Sequence, residues 1–292
     1  MHLVIQAVIF GVLIGGVYAL MASGVTLVFG IMRVINVAQG AMVILGAYLS
    51  YSLFTVLGLD PFLSILLIGP AMFALGYLIH RVFIRSLRPE SGEEMSLLVT
   101  WATALAVEGV LSVVYTTNYR STITGYAQRS WLVAGYHVPE VRVFAFLLSA
   151  VILAGLYLLL WRTRFGRSVR AIVQNPTSAK LLGVNADRVS AIGFAVGIST
   201  AAAAGAVFGI IYPFNPGSHY DLISRLLSIV VLGGLGSLGG AVVAAMILGI
   251  TESVVAVVFA PVWAPFVFFI VLIGVLLFRP QGLFGVRERG SL

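Results

Sequence analysis

The chain has 292 residues, is 60% hydrophobic and only 9% charged, and carries 32 glycines and a formal net charge of +7. With a mean hydropathy of +1.09 it lies far outside the range of a soluble globular domain, and in a membrane protein the placement of basic residues matters more than a sum that could otherwise suggest nucleic acid. The absence of cysteine excludes disulfides, thiolate metal sites and cysteine nucleophiles.

The N-terminal "MHLVIQAVIFGVLIGG" lacks a basic n-region and a small-residue cleavage site, so it reads as a retained first span. Apolar segments follow at 3–29, 37–57, 62–83, 97–115, 143–160 and 189–211, then a long run at 226–259 and a last segment at 265–278. The joints, "RSLRPESGEEM", "TTNYRSTITGYAQRS", "YPFNPGSHYD" and "APVWAP" among them, are polar or rich in breakers. Almost no sequence remains for a soluble unit, so residues 1–292 form one transmembrane domain. Every span should be a helix, because lipid forces each backbone group to be satisfied within its own segment.

The run 226–259 would measure roughly 50 Å as one helix, longer than the bilayer core, and must break. The break is marked by "GGLGSLGG", with Gly233, Gly234, Gly236, Gly239 and Gly240. The fold class is therefore all-α and polytopic, with eight or nine transmembrane helices. A short span plus a full span gives nine crossings with the N-terminus outside, the preferred count, because eight would leave the basic tail on the wrong side.

Orientation follows from Lys and Arg. Arg33, Arg81, Arg85, Arg88, Arg162, Arg164, Arg167, Arg170, Lys180 and Arg188 fall on one side, with Arg279, Arg287 and Arg289 of the tail. Only Arg120, Arg129, Arg142 and Arg225 fall on the other, so the first side is cytoplasmic.

The polar island "GRSVRAIVQNPTSAKLLGVN", 166–185, is a short cytoplasmic helix pair. Val169, Ile172 and Val173 lie on one face of an amphipathic helix starting near Thr163. Asn175 and Pro176 restart a helix, "TSAKLL" fills it, Gly183 suits a left-handed end, and Asn185 caps the next span. Such a segment can lie on anionic headgroups or form a shaped docking surface.

With its flanks, "RTRFGRSVRAIVQNPTSAKLLGVNADRVSAIGFAVG" resembles the cytoplasmic coupling loop of the LivH-type permeases of bacterial branched-chain amino acid ABC transporters. "GVYALMASGVTLVFGIMRVINVAQGAMVILGAYLS" and "VVLGGLGSLGGAVVAAMILGITES" resemble the same family, in the expected order. The resemblance implies a permease subunit in the bacterial inner membrane, moving branched-chain or related amino acids. Its partners would be a LivM-like second permease, two cytoplasmic LivG/LivF-like ATPases binding ATP and Mg, and a periplasmic solute-binding protein. It implies ATPase coupling through the loop of about 162–188, at Gly166, Arg167, Arg170, Ala171, Asn175, Pro176, Ala179, Leu182 and Gly183. No G-x-x-x-x-G-K-[ST] stretch occurs, so no nucleotide site, cofactor or enzymatic activity is expected in this chain itself. The alternatives are a urea or amide permease of the same family, or a channel or secondary carrier, which would have no use for a shaped helix pair.

Polar residues at membrane depth are candidates for the translocation pathway. Asn36, Gln39 and Gly40 sit between two spans; the other reading is a tight cytoplasmic turn in which Asn36 caps the second helix and Arg33 snorkels. The family pattern there is "INFAHGE", and this chain has Val37, Gln39 and Ala41 where Phe, His and Glu would stand, which argues against a proton-linked role. Glu108 and Glu252 lie deepest in apolar sequence and should be neutral, paired or hydrated, serving either as helix-to-helix bonds or in the cavity. Gly233 and Gly236 are read either as close packing or as a broken helix lining the path. His2, His80, His137 and His219 have no metal-ligand spacing and adjoin the expected membrane ends, as do most of the tryptophans. No nucleophile with a base, aspartate pair or metal motif supports an intramembrane enzyme.

Overall fold

The computed structural model describes residues 2–85, 92–127, 129–133, 135–279 and 281–285. Arg88, Arg287 and Arg289, part of the charge count above, lie outside the described residues. Helices α1 (His2–Met32), α2 (Gln39–Leu57), α3 (Pro61–Ile79) and α4 (Gly92–Tyr115) come first, α3 continuing through a π-helical turn at His80–Ile84. A two-stranded antiparallel hairpin, β1 (Ser130–Val133) with β2 (Tyr136–Pro139), precedes α5 (Glu140–Arg162), in the register Ser130 to Pro139 and Val133 to Tyr136. Then come α6 (Arg164–Gln174), α7 (Pro176–Leu181), α8 (Ala186–Ile211), α9 (His219–Gly233), α10 (Leu238–Val258) and α11 (Ala264–Phe278). Eight of the described helices are long and apolar enough to cross a membrane: α1 to α5, α8, α10 and α11, with α3 counted through its π turn and α11 from the 3-10 turn that begins at Pro261. The chain is a multi-pass membrane protein.

The centre is built from α1 and α8, buried on nearly every side. Apolar all-round helices cannot choose a face by hydrophobicity, so contact is set by how closely backbones approach. Glycine decides this at two crossings. A Cβ on Gly46 of α2 would stand 2.5 Å from the Ala202 Cα of α8, and one on Gly249 of α10 would stand 2.8 Å from the Gly11 carbonyl of α1.

The molecule has a hairpin end and a basic end. His2 stacks on Tyr136, which brings the start of α1 to the hairpin. At the opposite end Leu27 and Ile31 of α1 cluster with Leu156, Val169, Ile172, Ala179 and Val189, joining the α6–α7 pair to the base of the bundle. At the hairpin end Asp60 accepts from Phe62 N–H at 2.9 Å to cap α3, and from the Tyr126 phenol at 2.6 Å. Burial and the adjoining Asp60 carboxylate push the Tyr126 phenol pKa up.

The expected break in 226–259 falls at Gly234–Ser237, between α9 and α10. The first piece does not begin at Leu226, however. It begins at His219, inside the segment read as a polar joint, after a 3-10 turn at Pro216–Ser218 in which Asn215 and Ser218 bond reciprocally. Fifteen residues give α9 about 22 Å, too short for a full span. It nonetheless reaches the basic end, where Gly236 packs on Gly30 of α1. The tail closes it there: Leu283 and Phe284 N–H donate to the Leu232 and Gly233 carbonyls, at 2.8 and 3.2 Å, satisfying acceptors a helix end leaves open.

Candidate functional site

The helix pair at the basic end forms as its punctuation dictates. Thr163 Oγ1 accepts from Gly166 N–H at 3.2 Å to start α6, and Asn175 Oδ1 accepts from Ser178 N–H at 2.9 Å to start α7 behind Pro176. Gly183 ends α7 with φ +81°, and Asn185 Oδ1 accepts from Arg188 N–H at 2.9 Å to start α8. Val169, Ile172 and Ala179 turn inward. Gly166 is buried so tightly that a Cβ would overlap the Leu160 carbonyl. Ala171 is half-buried, while Arg167, Asn175, Pro176, Leu182 and Gly183 are exposed. Arg170 is also exposed, but its guanidinium donates to the Leu160 carbonyl and lies 5.5 Å from the Trp161 ring centre, clasping the end of α5. Val173, Leu181 and Leu182 point apolar side chains away from the bundle, the last two more than 80% exposed.

A second constellation lies inside the bundle. Arg33 takes a left-handed φ of +54° and stops α1, and the chain then runs without helix until α2. Gln39 Nε2 donates to the Gly197 carbonyl of α8 at 3.1 Å and to the Met21 carbonyl of α1 at 3.5 Å. Met21 stands eleven residues before the end of α1, so α2 begins about 16 Å into the bundle. Asn36 does not cap α2. The cap position is Ala38, with no side-chain bond, while Asn36 Nδ2 donates to Gln39 Oε1 at 3.2 Å and its buried Oδ1 has no partner among the described residues. Thr100 of α4 holds this segment, its hydroxyl accepting from Val37 N–H at 3.3 Å and donating to the Ile35 carbonyl at 3.4 Å. Gly40 packs against the His219 carbonyl and Ile223, so the start of α2 meets the start of α9.

The two deep carboxylates are paired, each through α9. Glu108 of α4 meets buried His219 Nε2 at 3.0 Å and accepts from the Tyr220 phenol at 2.9 Å. Glu252 of α10 takes an ion pair from Arg225 and a 2.9 Å bond from the Tyr18 phenol of α1. Arg225 also donates to the Tyr18 oxygen at 2.8 Å and lies 5.2 Å from the Phe268 ring centre of α11. Arg225, assigned to an outer loop by the sequence, is therefore inside the bundle, because α9 starts seven residues before the apolar run. His219 and Trp101 likewise leave the membrane ends: His219 is buried beside Glu108, and Trp101, nine residues into α4, meets Tyr220 at 5.9 Å.

Gly233 and Gly236 join none of these polar groups. Gly233 packs on Gly240 and Ala241, and Gly236, with φ +82°, packs on Gly30. Among the described residues no group of three or more His, Cys, Asp or Glu could hold a metal ion. His219, Tyr220, Arg225 and Tyr18 complete the carboxylate clusters that sequence reasoning left unpartnered. The only signal for them was a His, an Asp and an Arg within "HYDLISR" just ahead of an apolar run.

A family profile described as "Branched-chain amino acid transport system / permease component" matches residues 7–276. The chain is 31% identical over 300 aligned positions to the high-affinity branched-chain amino acid transport system permease protein BraD of Pseudomonas aeruginosa, covering 97% of this chain and 96% of that protein. It is 29% identical to the corresponding permease protein LivH of Escherichia coli, again over 97% and 96%. A probable LivH of Methanocaldococcus jannaschii is 26% identical over 91% of this chain and 88% of that one. No solved structure matches the chain.

Proposed function

Because the chain belongs to the branched-chain amino acid transport system permease family, we propose that it is the membrane subunit of an ABC importer of branched-chain amino acids, driven by ATPases seated on α6 and α7. The observation that carries this reading is the helix pair itself. It is capped at each end, wedged by Val169, Ile172 and Ala179 into the bases of α1, α5 and α8, and apolar on its outer side at Leu181 and Leu182. A purely interfacial helix needs no such rigid seat. A surface that passes force to three spans does.

In this reading the basic end is cytoplasmic in the bacterial inner membrane and the hairpin end faces the periplasm. A periplasmic binding protein delivers substrate to the hairpin end, and a LivM-like second permease and two LivG/LivF-like ATPases, holding ATP and Mg, complete the assembly. Closure of the ATPases on ATP pushes the helix pair and rocks α1, α5 and α8. Gly166, Arg167, Arg170, Ala171, Asn175, Pro176, Ala179, Leu182 and Gly183 form the coupling element. Gly166 and Ala179 act by seating it, Arg170 by fixing it to α5, and Leu182 by contact. The pathway is proposed to include Asn36, Gln39, Gly40 and Glu108, with Glu252, Gly233 and Gly236 setting the position of α9 beside it.

The reading is tested in proteoliposomes holding the full complex, by leucine uptake and binding-protein-stimulated ATP hydrolysis. Proline cannot adopt the φ of +81° at Gly183, and Arg170→Glu loses its bond to Leu160. Both variants should insert normally and lose at least tenfold in stimulated hydrolysis. Unchanged stimulation in both refutes the docking role.

A further inference from the structure

In a membrane protein an outward face made of hydrocarbon belongs to lipid, and one carrying charge does not, because lipid cannot solvate it. The outward faces of α3, α5 and α11 are hydrocarbon, with Leu66 and Leu67, Leu147 and Val151, and Ile270 and Ile273 all exposed. The face where α4 meets α9 is different. Tyr220 is 39% exposed, Asp221 is exposed, Ser224 and Ser112 are half-exposed, and the Glu108 side chain is 24% exposed. Trp101 and Leu105 extend the stripe along α4 at the spacing of one helix face.

These groups are deep. The basic end of α9 is Gly233, beside Gly240 and tied to the tail. Counting back along the helix, Ser224, Asp221 and Tyr220 stand about 14, 18 and 20 Å from that end, within a core of about 30 Å. Glu108 is seven residues, about 10 Å, from the other end of α4. Polar groups on two helices thus share one outward seam in the middle of the bilayer, next to the point where α2 begins inside the bundle.

We infer that the α4–α9 seam faces water in the assembled transporter and is this chain's wall of the substrate passage, with a second permease subunit closing the opposite wall. The inference rests on the permease reading above. It adds Trp101, Leu105, Ser112, Tyr220, Asp221 and Ser224 to the passage and turns the α3, α5 and α11 faces to lipid.

The natural absence of cysteine makes the test direct. Leu105→Cys, Asp221→Cys and Ser224→Cys, with Leu66→Cys and Ile270→Cys as lipid-facing controls, are assembled into the full complex. Each is exposed to a charged, membrane-impermeant methanethiosulfonate, on two helices so that one misfolded variant does not decide the outcome. The seam cysteines should react at least tenfold faster than the controls. Reaction at the control rate overturns the inference, and so does a seam cysteine reactive in the chain alone but inert in the complex, which would make the seam a dry subunit contact. Leucine uptake by the unsubstituted complex is measured in parallel. Its absence alongside fast seam labelling would count against the permease reading and leave the wet seam standing.

Discussion

Replacing Glu252 by Gln should destabilise the protein more than replacing Arg225 by Met, although the two residues form one ion pair. Their side chains are 13% and 20% exposed, and the Tyr18 phenol binds both, so neither charge is well hydrated in its partner's absence. Removing one member of a buried pair costs about 3–5 kcal/mol, chiefly because the other is left uncompensated. The survivors differ. A guanidinium stays charged at any accessible pH, whereas a carboxyl can bind a proton and become neutral. Glu252→Gln leaves the Arg225 charge facing only neutral groups, the amide oxygen, the Tyr18 oxygen and the Phe268 ring face, and the partial exposure of Arg225 and the surviving acceptor put the loss near the lower bound, about 3 kcal/mol. Arg225→Met leaves a carboxyl that can neutralise itself while keeping its Tyr18 bond, and should cost about 1–2 kcal/mol. The double variant should be more stable than the summed losses imply, with a coupling of about 1.5–3 kcal/mol. Reversible unfolding in mixed detergent micelles, followed by circular dichroism, measures all three. Additive losses within about 0.5 kcal/mol, or a larger loss for Arg225→Met, would refute the reasoning.

Gly46→Leu should fail to give folded protein, since even a Cβ there meets the Ala202 Cα at 2.5 Å, while Gly155→Leu, where a Cβ would meet nothing within 4 Å beyond its own helix backbone among the described residues, should be near neutral; yield of monodisperse protein on size exclusion checks both. Tyr126→Phe, which removes the donor to Asp60 but keeps the Asp60 cap on α3, should lower stability by about 1–2 kcal/mol without lowering insertion, and the same micelle unfolding measures it.

The island was legible because helix punctuation is local. Thr163, Asn175, Pro176, Gly183 and Asn185 each act within three or four residues, and each does in the structure what its type implies. The glycine break between α9 and α10 was legible for the same reason. The start of α9 was not. "YPFNPGSHYD" has the composition of a surface loop, and only the contacts of His219 with Glu108 and of the His219 carbonyl with Gly40 explain why it turns helical inside the bundle. The hairpin at 130–139 was missed likewise, since β1 is exposed along its whole length and has no alternation of burial for the sequence to reflect.

The sequence alone determined that this is a polytopic helical membrane protein, that the run 226–259 breaks at its glycines, and how the α6–α7 pair is capped. Each of these depends on hydropathy summed along a span or on bonds between near neighbours. Only the tertiary structure decided which deep charges pair, which glycines touch, and which face is too polar for lipid. Those outcomes join residues on different helices, among them Glu108 with His219, 111 positions apart, and Tyr18 with Arg225 and Glu252, 207 and 234 apart, and in apolar helices nothing local marks the partner.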